Sequence, residues 1–433
     1  MSNPRLSSFL ERHQHGAWQE RAASIIHMID EMSMSSSFSS LSSISSGSLS
    51  SDFDDDRSDD EMFVDDVYVS LGNQSAIANR LTQTIAHPNI VWRTKNGLTI
   101  EELSEDDALT FFRFRKEHLQ IVADKLWPRL ARYLLGGKGR IKFGFGRYSC
   151  GYETLLLLMM YRLSRPCRIY REMEAFFGFR RSKICAGIGA MMNAMYTLAV
   201  QYLDDPIIFL HRMPRYADII NQKCGLVTTV WGFIDGTLRQ TCRPSYHQKV
   251  MYSGHKRAHG MKFQSVIAPD GIFACLFGAV NGNRHDSFML NESELMPRLR
   301  GMMPAGIIGG GGLDADPVDR VYSLYADPAY PQSAYIFGGF RNPPDGSREA
   351  QWNTNMSSVR ESVEWGFAYI NQQWAFVNFR KALKIYKSPV AKYYVVATFL
   401  CNLRTTFYGN QTMSFFDCAG DSMSIDEYLQ LID

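Results

Sequence analysis

Three carboxylates stand where the surrounding pattern leads one to expect apolar residues. Asp235 and Asp327 each end an apolar, strand-like run, and Glu364 lies beside the apolar stripe of a helical pattern. A buried carboxylate without a partner takes up a proton, so several of them together require a cation. Oxygen ligands of this kind suit Mg²⁺ or Mn²⁺. The pattern therefore predicts a divalent-metal site.

A fourth carboxylate, Asp286, follows a later strand-like run and stands directly before Ser287. Each acid also has a plainer interpretation. An aspartate followed by glycine, as at Asp235, is commonly a turn residue, and Asp286 has the position of a helix N-cap. The order of the acids favours a shared site, because one ends a first strand, one ends a later strand and one lies on the next helix.

The elements that must position these acids lie between residues 223 and 410. Apolar runs predict strands, two of which flank the turn Pro269-Asp270-Gly271, and two longer patterns predict helices. This region is therefore predicted to be an α/β domain, followed by a C-terminal tail over 411–433. The predicted strands are Leu226–Asp235, Met261–Ala268, Ile272–Val280 and Val321–Ala326, and the predicted helices are Ser357–Trp374 and Lys387–Tyr408.

Residues 99–222 have helical patterns instead. Helix Arg168–Phe177, a turn at Gly178 and a long helix over Ser182–Leu203 fit a helix-turn-helix with basic residues at the junction. An ordinary helical bundle with a basic corner fits equally well. The sequence thus predicts an all-α domain, which under the first interpretation is helix-turn-helix-like and binds DNA.

Residues 1–98 form an arm of different composition. Residues 33–51 are mostly serine, and residues 52–66 hold nine acidic side chains. Such a segment buries too little apolar surface to offset the entropy of ordering, so the arm is predicted to be largely disordered. Within residues 1–66, 4 basic and 13 acidic residues give a net charge of −9, whereas the remainder, with 42 and 31, carries +11. A basic body favours polyanionic partners.

The composition of the 433 residues excludes several classes of protein. With 45% hydrophobic and 13% aromatic residues, the chain is not collagen-like, disulfide-dense or wholly disordered. The longest apolar run, Leu155–Tyr161, is far shorter than the roughly 20 residues of a membrane span. Eight scattered cysteines indicate reduced thiols in the cytosol or nucleus. We therefore expect a soluble protein with no membrane partner.

Five short motifs, taken in order, resemble those of the PIF/Harbinger group of DDE transposases and their nuclease-like relatives. The resemblance covers residues 226–405, and the helical part resembles the domain that precedes the catalytic core in that family. The loop Gly338–Arg348 departs from the family in being longer and richer in proline and glycine. The motifs are Ile234-Asp235-Gly236-Thr237; Tyr252-Ser253-Gly254-His255-Lys256 with His259-Gly260; Gly282 with His285-Asp286-Ser287; Ala326-Asp327-Pro328-Ala329-Tyr330-Pro331; and Asn353 with Arg360 and Val363-Glu364-Trp365-Gly366-Phe367.

The resemblance implies an RNase H-like core, which is a mixed sheet flanked by helices, with Asp235, Asp327 and Glu364 as the catalytic triad. Asp286 matches a further metal-ligand position of the family, so all four acids are implied metal ligands. Two Mg²⁺ or Mn²⁺ ions would activate the attacking oxygen and stabilise the leaving one. The implied activity is that of a metal-dependent DNA endonuclease and transposase, which cleaves phosphodiester bonds and joins strands.

The resemblance also implies partners and a compartment. These are duplex DNA, a separate Myb-like DNA-binding protein, further copies of the chain in a homo-oligomer, and the nucleus, with the cytoplasm as the alternative. Basic residues near the motifs form the candidate DNA footprint, because such side chains position a phosphate backbone. The six residues are Lys256, Arg257, Lys262, Arg360, Lys384 and Lys387.

Two other functions fit the same sequence. One is a domesticated transposase that binds DNA or chromatin without cleaving it. The intact Asp235, Asp327 and Glu364 favour the enzyme, because a non-cleaving relative has no catalytic need for them. The other is an RNase H-like RNA nuclease, which shares the metal site and would be distinguished by cleavage of RNA–DNA hybrid in place of duplex DNA.

Overall fold

A mixed β-sheet lies at the centre of the fold, in a computed structural model that describes residues 97–136, 139–166, 170–225, 228–302, 321–328, 330–340 and 342–432. Its central strand, β1, pairs antiparallel with β3 and parallel with β5. β3 also pairs antiparallel with β2 and β4, and β5 pairs parallel with β6. The strands are β1 (Val230–Gln240), β2 (Tyr252–Ser253), β3 (Ala258–Ile267), β4 (Phe273–Asn281), β5 (Ser323–Ala326) and β6 (Ile336–Gly338).

Helices precede, interrupt and follow the sheet, so the prediction of a mixed sheet flanked by helices is confirmed. Within the described residues they are α1 (Glu105–Phe112), α2 (Lys116–Leu134), α3 (Tyr152–Ser164), α4 (Tyr170–Phe177), α5 (Arg181–Leu203), α6 (Met213–Cys224), α7 (Gln248–Met251), α8 (Asp286–Glu292), α9 (Leu295–Met302), α10 (Arg348–Gln373), α11 (Val390–Tyr408), α12 (Gln411–Phe415) and α13 (Ile425–Gln430). Four 3-10 helices, Pro206–Arg212, Ala375–Asn378, Arg380–Ala382 and Ala419–Asp421, connect some of them.

The hairpin of β3 and β4 and the strand β5 lie where the sequence predicted them. The predicted end of β1 at Asp235 is wrong, because β1 continues to Gln240. Gly236 and Thr237, the residues that suggested a turn, pair with β3 in an unbroken antiparallel register. Asp235 is therefore in the middle of a strand, and the turn interpretation of this acid does not hold.

Helix α10, which carries Glu364, begins nine residues before its predicted start. The Ser347 side chain accepts a hydrogen bond from the Ala350 N–H, which caps the first turn. Further along the helix, Val359, Val363 and Phe367 are buried, as the apolar stripe predicted. The stripe fixes which side of α10 meets the sheet, and the cap determines where the helix begins.

Helix α5 joins the helical part of the chain to the sheet. It packs against α3 and α11 and also against β4, and its residues Met191, Met195 and Leu198 are buried. By length and composition alone α5 is apolar enough to cross a membrane, but a buried core helix has the same properties. The structure does not confirm a helix-turn-helix at α4 and α5, and the boundary proposed at residues 222 and 223 stays a prediction.

The ends of the chain differ in what the structure describes. The predicted disordered arm, apart from residues 97 and 98, lies outside the described residues. In the segment predicted as a tail, α13 packs into the fold: the ring of Tyr428 is buried and stacks on Tyr202, with ring centroids 5.3 Å apart. The seven cysteines within the described residues are free thiols.

Candidate active site

The parallel pairing of β1 with β5 brings Asp235 and Asp327 together. In this register Ile234 lies beside Ala326, so the next residue along each segment is a carboxylate: Asp235 within β1 and Asp327 directly after β5. Neighbouring strands are about 4.8 Å apart, which places the two acids on adjacent strands at one level of the sheet. The order of residues that suggested a shared site thus corresponds to a real juxtaposition.

Asp286 reaches the same place from the first turn of α8. A Cβ atom built on Gly236 would lie 2.6 Å from Asp286 Oδ1, so only glycine at this position lets the carboxylate approach β1. The helix begins after His285, and the predicted N-cap role of Asp286 is therefore wrong, since it is the first residue of the helix. Gly236 therefore has a structural role in its motif: because it has no side chain, it leaves room for the carboxylate of Asp286 close to β1.

The surroundings of Asp235 disfavour its charge. Burial, and to a lesser extent the nearby Asp327 and Asp286, raise its pKa to about 6, although the Gly236 N–H and Arg360 act in the opposite direction. The N–H donates to Asp235 Oδ1 at 2.7 Å. A carboxyl group buried among like charges is a frequent feature of functional sites, because the binding of a cation or a proton relieves the repulsion.

Tyr330 lies close to the acids. Its side chain is buried, and burial together with Asp286, Asp235 and Asp327 raises its pKa well above the ordinary value, so that the hydroxyl keeps its proton. That hydroxyl donates toward Gln264 Oε1 at 3.4 Å. Tyr330 belongs to the motif Ala326–Pro331, and the sequence of that motif predicts no role for it.

Glu364 is linked to the other acids through Arg360. One guanidinium nitrogen of Arg360 lies 3.4 Å from Asp235 Oδ2, and the other lies 3.7 Å from Glu364 Oε1, one helical turn away on α10. The Glu364 side chain is 60% exposed and that of Asp235 only 19%, so Glu364 lies on the solvent side. The structure thus groups Asp235, Asp286 and Asp327, with Glu364 outside them across a guanidinium.

A second cation lies on the other side of the acids. Lys262 Nζ, on β3, donates to Asp286 Oδ1 at 3.1 Å. Lys262 and Arg360 were both predicted to bind DNA, and in this structure both pair with carboxylates. Their role toward DNA stays a prediction.

Among the residues that the structure describes, no three acidic, histidine or cysteine side chains are arranged to hold a metal ion as they stand. The chemistry of the donors nevertheless fits a hard divalent cation, because all of them are carboxylate oxygens. Burial, and after it the repulsion from Asp327 and Asp286, raises the pKa of Asp235. Asp235, Asp286, Asp327 and Glu364 are the residues that would hold it. Arg360 and Lys262 pair with three of these carboxylates, which are Asp235, Glu364 and Asp286.

The other predicted DNA-binding residues lie away from the acids in sequence and are exposed. Lys256 and Arg257 form the turn before β3, and Lys384 follows the 3-10 helix Arg380–Ala382. Lys387 lies three residues beyond Lys384 and is also exposed.

Asn353, another motif residue without a predicted role, fixes the loop that departs from the family pattern. Its side-chain Oδ1 accepts from the Phe340 N–H at 2.8 Å, and its Nδ2 donates to the Phe340 carbonyl at 2.9 Å. This pair of bonds ties the segment after β6 to α10. An asparagine that satisfies both backbone groups of one residue is recognisable only once the two segments are seen side by side.

One comparison with known proteins matches the region of the chain that holds the site. A family model described as DDE superfamily endonuclease matches residues 234–402, which include all four acids and both cations. Comparisons with curated proteins and with solved structures give no match. The DDE resemblance is confirmed, whereas the Harbinger subgroup stays a prediction. Nucleases of the DDE superfamily use divalent metals, in keeping with the carboxylate donors described above.

Proposed function

We propose that this chain is a divalent-metal-dependent DNA endonuclease of the Harbinger transposase type, which cleaves phosphodiester bonds and joins strands. The observation that carries the proposal is the grouping of Asp235, Asp286 and Asp327 within the region that matches DDE endonucleases. The pKa of Asp235, raised to about 6 by burial and by its neighbours, would be lowered by a bound cation. A structural acid is instead satisfied by protein donors.

The topology of the sheet supports an RNase H-like assignment. Strands β4, β3 and β1 are antiparallel neighbours, and β5 and β6 continue on the other side of β1 as parallel strands. This arrangement places an acid of the central strand beside the acid that follows the first parallel strand. The helix α10 then supplies the third acid, as the proposed triad requires.

Each residue of the site has a proposed role. Asp235, Asp327 and Glu364 are the catalytic ligands, and Asp286 is a further ligand. Mg²⁺ or Mn²⁺ bound there supplies Lewis-acid activation of the attacking oxygen and stabilisation of the leaving one. Arg360 and Lys262 balance the charge of the acids in the free protein and are assigned to the substrate phosphate once the carboxylates bind a cation. Tyr330 fills the space beneath the acids and keeps water out.

Duplex DNA is the proposed substrate. The chain beyond residue 66 has a net charge of +11, and four of the basic side chains proposed to bind DNA are exposed, namely Lys256, Arg257, Lys384 and Lys387. The Myb-like partner, the homo-oligomer and the nuclear compartment belong to the same proposal and derive from the resemblance. Retention of all four acids argues against a protein that only binds DNA.

Nicking of supercoiled plasmid tests the proposal. We expect cleavage of duplex DNA with Mg²⁺ or Mn²⁺, no cleavage in EDTA, and loss of cleavage in Asp327→Asn. Glu349→Gln is the matched control, because it removes an exposed acid from the far end of α10 and should cleave normally. Undiminished nicking by Asp327→Asn would refute the assigned triad. DNA binding without metal-dependent cleavage would favour the non-cleaving function, and preference for RNA–DNA hybrid would favour an RNA nuclease.

A further inference from the structure

A basic cleft of about 380 Å³ lies at the other end of β1, away from the four acids. It is bounded by the end of β1, the start of β3 and the 3-10 helix Arg380–Ala382. None of the described residues that line it is acidic. The lining residues are Thr241, Cys242, Arg243, Arg257, Ala258, His259, Arg380 and Lys381.

The charges around this cleft favour an anion. The side chains of Arg243, Arg257 and Arg380 are exposed and converge on a volume at the lower end of the range for small-ligand pockets. Arg243 Nε donates to the neutral Gln248 Oε1 at 2.9 Å, a contact that leaves its charge uncompensated. Several like charges around one concave surface raise the local concentration of an oppositely charged group.

Thr241 gives the cleft a polar group that lacks a partner. The residue is 2% exposed, and its buried hydroxyl has no hydrogen-bond partner among the described residues. A buried hydroxyl without a partner costs free energy, because it has lost its bonds to water. A phosphate oxygen that accepts its proton would remove this cost. The hydroxyl is thus a second observation, independent of the charges, that indicates an oxyanion.

The walls of the cleft are held together by main-chain contacts. The Thr241 N–H donates to the His259 carbonyl at 2.9 Å, and the Cys242 N–H donates to the Leu383 carbonyl at 3.0 Å. The Cys242 thiol also lies 3.0 Å from the Lys381 carbonyl. These bonds join three segments that are distant in sequence, so the cations are positioned before any ligand binds.

The cleft lies on the face of β1 that carries Asp235. Side chains six positions apart on an extended segment point the same way, so Thr241 continues the face that carries Asp235. Six residues at about 3.3 Å each separate them by roughly 20 Å. Between them, Arg239 donates to Thr237 and to Asn371 of α10, which keeps this part of the face closed.

We propose that this cleft binds a backbone phosphate of duplex DNA at a distance from the bond that is cleaved. The proposal rests on the proposed function, since it takes DNA as the substrate. A separation of roughly 20 Å corresponds to about six base pairs at 3.4 Å each. The cleft is therefore a positioning site: it holds the flanking duplex, while the carboxylates act on the scissile phosphate.

A salt titration of DNA affinity tests the cleft. In the full chain, Arg257→Ala with Arg380→Ala should make the slope of log affinity against log salt shallower by about 1.8 and weaken binding on the order of 50-fold near 0.1 M salt. Arg132→Ala with Arg300→Ala is the matched control, because it removes two exposed arginines from α2 and α9. An equal change in the control pair would overturn the proposal, because any loss of charge would then suffice.

The hydroxyl is tested by Thr241→Val, which removes it at nearly constant volume. We expect binding to weaken several-fold with an unchanged salt slope, because no charge is lost, and thermal unfolding to show that the variant is folded. A folded Thr241→Val with unchanged affinity would overturn the role of the hydroxyl. This test does not depend on whether the protein cleaves DNA, because it measures binding alone.

Cleavage and free phosphate provide the last two measurements. If the chain nicks DNA, the Arg257 and Arg380 double variant should raise KM and leave kcat nearly unchanged, and a fall in kcat alone would contradict a positioning site.

Calorimetry with inorganic phosphate should detect only weak, millimolar binding. Micromolar binding of inorganic phosphate would overturn the assignment to a DNA backbone in favour of a free anion. Absence of nicking in the wild type would refute the proposed function and leave the binding tests intact.

Discussion

Two aspartates of the sheet region have raised pKa values for the same first reason, which is burial, and their surroundings differ. Asp270, in the turn between β3 and β4, is fully buried. Its carboxylate accepts a hydrogen bond from Tyr216 Oη at 2.6 Å and another from the Ile272 N–H at 3.0 Å. Arg212 adds a positive charge that lowers the pKa more than the negative charge of Glu427 raises it, so two hydrogen-bond donors and a cation stabilise this carboxylate.

Asp235 has fewer donors and more competitors. It accepts one short hydrogen bond, from the Gly236 N–H, and a longer contact from Arg360, while Asp286 and Asp327 repel its charge. The comparison shows that a raised pKa does not by itself identify a functional acid. Asp235 and Asp270 differ in whether acids or hydrogen-bond donors predominate around the carboxylate. This difference determines whether the binding of a cation there would be favourable.

Cleavage is where the two acids should differ most. Asp235→Asn should lower nicking by at least about 10³-fold, the scale on which loss of one member of a catalytic set acts. Asp270→Asn, assayed well below its melting temperature, should cleave at nearly the wild-type rate. Plasmid nicking with both variants at matched DNA occupancy measures this. A comparable loss of nicking in Asp270→Asn would show that the two aspartates do not differ in their contribution to cleavage.

Stability should change in opposite directions for the same two substitutions. The pKa of Asp235 in the folded chain is about 6 and its ordinary value is 3.8, so the folded chain binds more protons between these pH values. The free energy of unfolding therefore falls as the pH rises through this window. At pH 7 the ionised carboxylate of Asp235 destabilises the folded chain to its full extent. In EDTA at that pH, Asp235→Asn should stabilise the protein by roughly 1–3 kcal/mol.

Asp270→Asn should instead destabilise the protein, by about 1–3 kcal/mol, because it disturbs a buried and satisfied hydrogen-bond pair with Tyr216. Thermal unfolding across a pH series measures both variants. The gain of the Asp235 variant should shrink as the pH falls from about 6 to about 4, where the wild-type carboxyl becomes protonated. A gain that does not depend on pH would show that repulsion is not its cause.

The cations beside the two acids provide a finer test. Arg360→Gln removes a charge that competes for Asp235 and Glu364, so we expect Mn²⁺ to bind roughly 10-fold more tightly, as measured by calorimetry. Arg212→Gln removes the cation near Asp270 and should leave Mn²⁺ affinity unchanged. Weaker Mn²⁺ binding in the Arg360 variant would mean that the arginine orients the carboxylates for the metal.

The smallest effect concerns the acids of residues 1–66, which lie outside the described residues. Deleting residues 1–66 removes a net charge of −9, so non-specific DNA should bind several-fold more tightly. The melting temperature should stay the same, because the serine-rich and acidic composition of this arm offers little apolar surface to bury. Fluorescence anisotropy and thermal unfolding measure the two effects, and a lower melting temperature would contradict the second.

Much of the architecture could be predicted from the sequence because it depends on local patterns. The turn Pro269-Asp270-Gly271 gave the β3–β4 hairpin, and the apolar stripe of α10 gave the side of the helix that is buried. The motifs around the acids pointed to the DDE endonucleases, whose family model matches residues 234–402, whereas the shared site of Asp235, Asp327 and Glu364 stays a prediction. These properties are local in sequence or are carried by short motifs.

The tertiary structure decided which charges meet. From the sequence alone, Asp235 and Asp270 are both aspartates before glycine, and only the packing shows that one lies within a strand among acids and the other in a turn among donors. The pairing of Arg360 with Asp235 joins residues 125 positions apart, and the basic cleft joins Thr241 to the distant Arg380. Electrostatic interaction depends on distance in space and on burial, neither of which a linear pattern records.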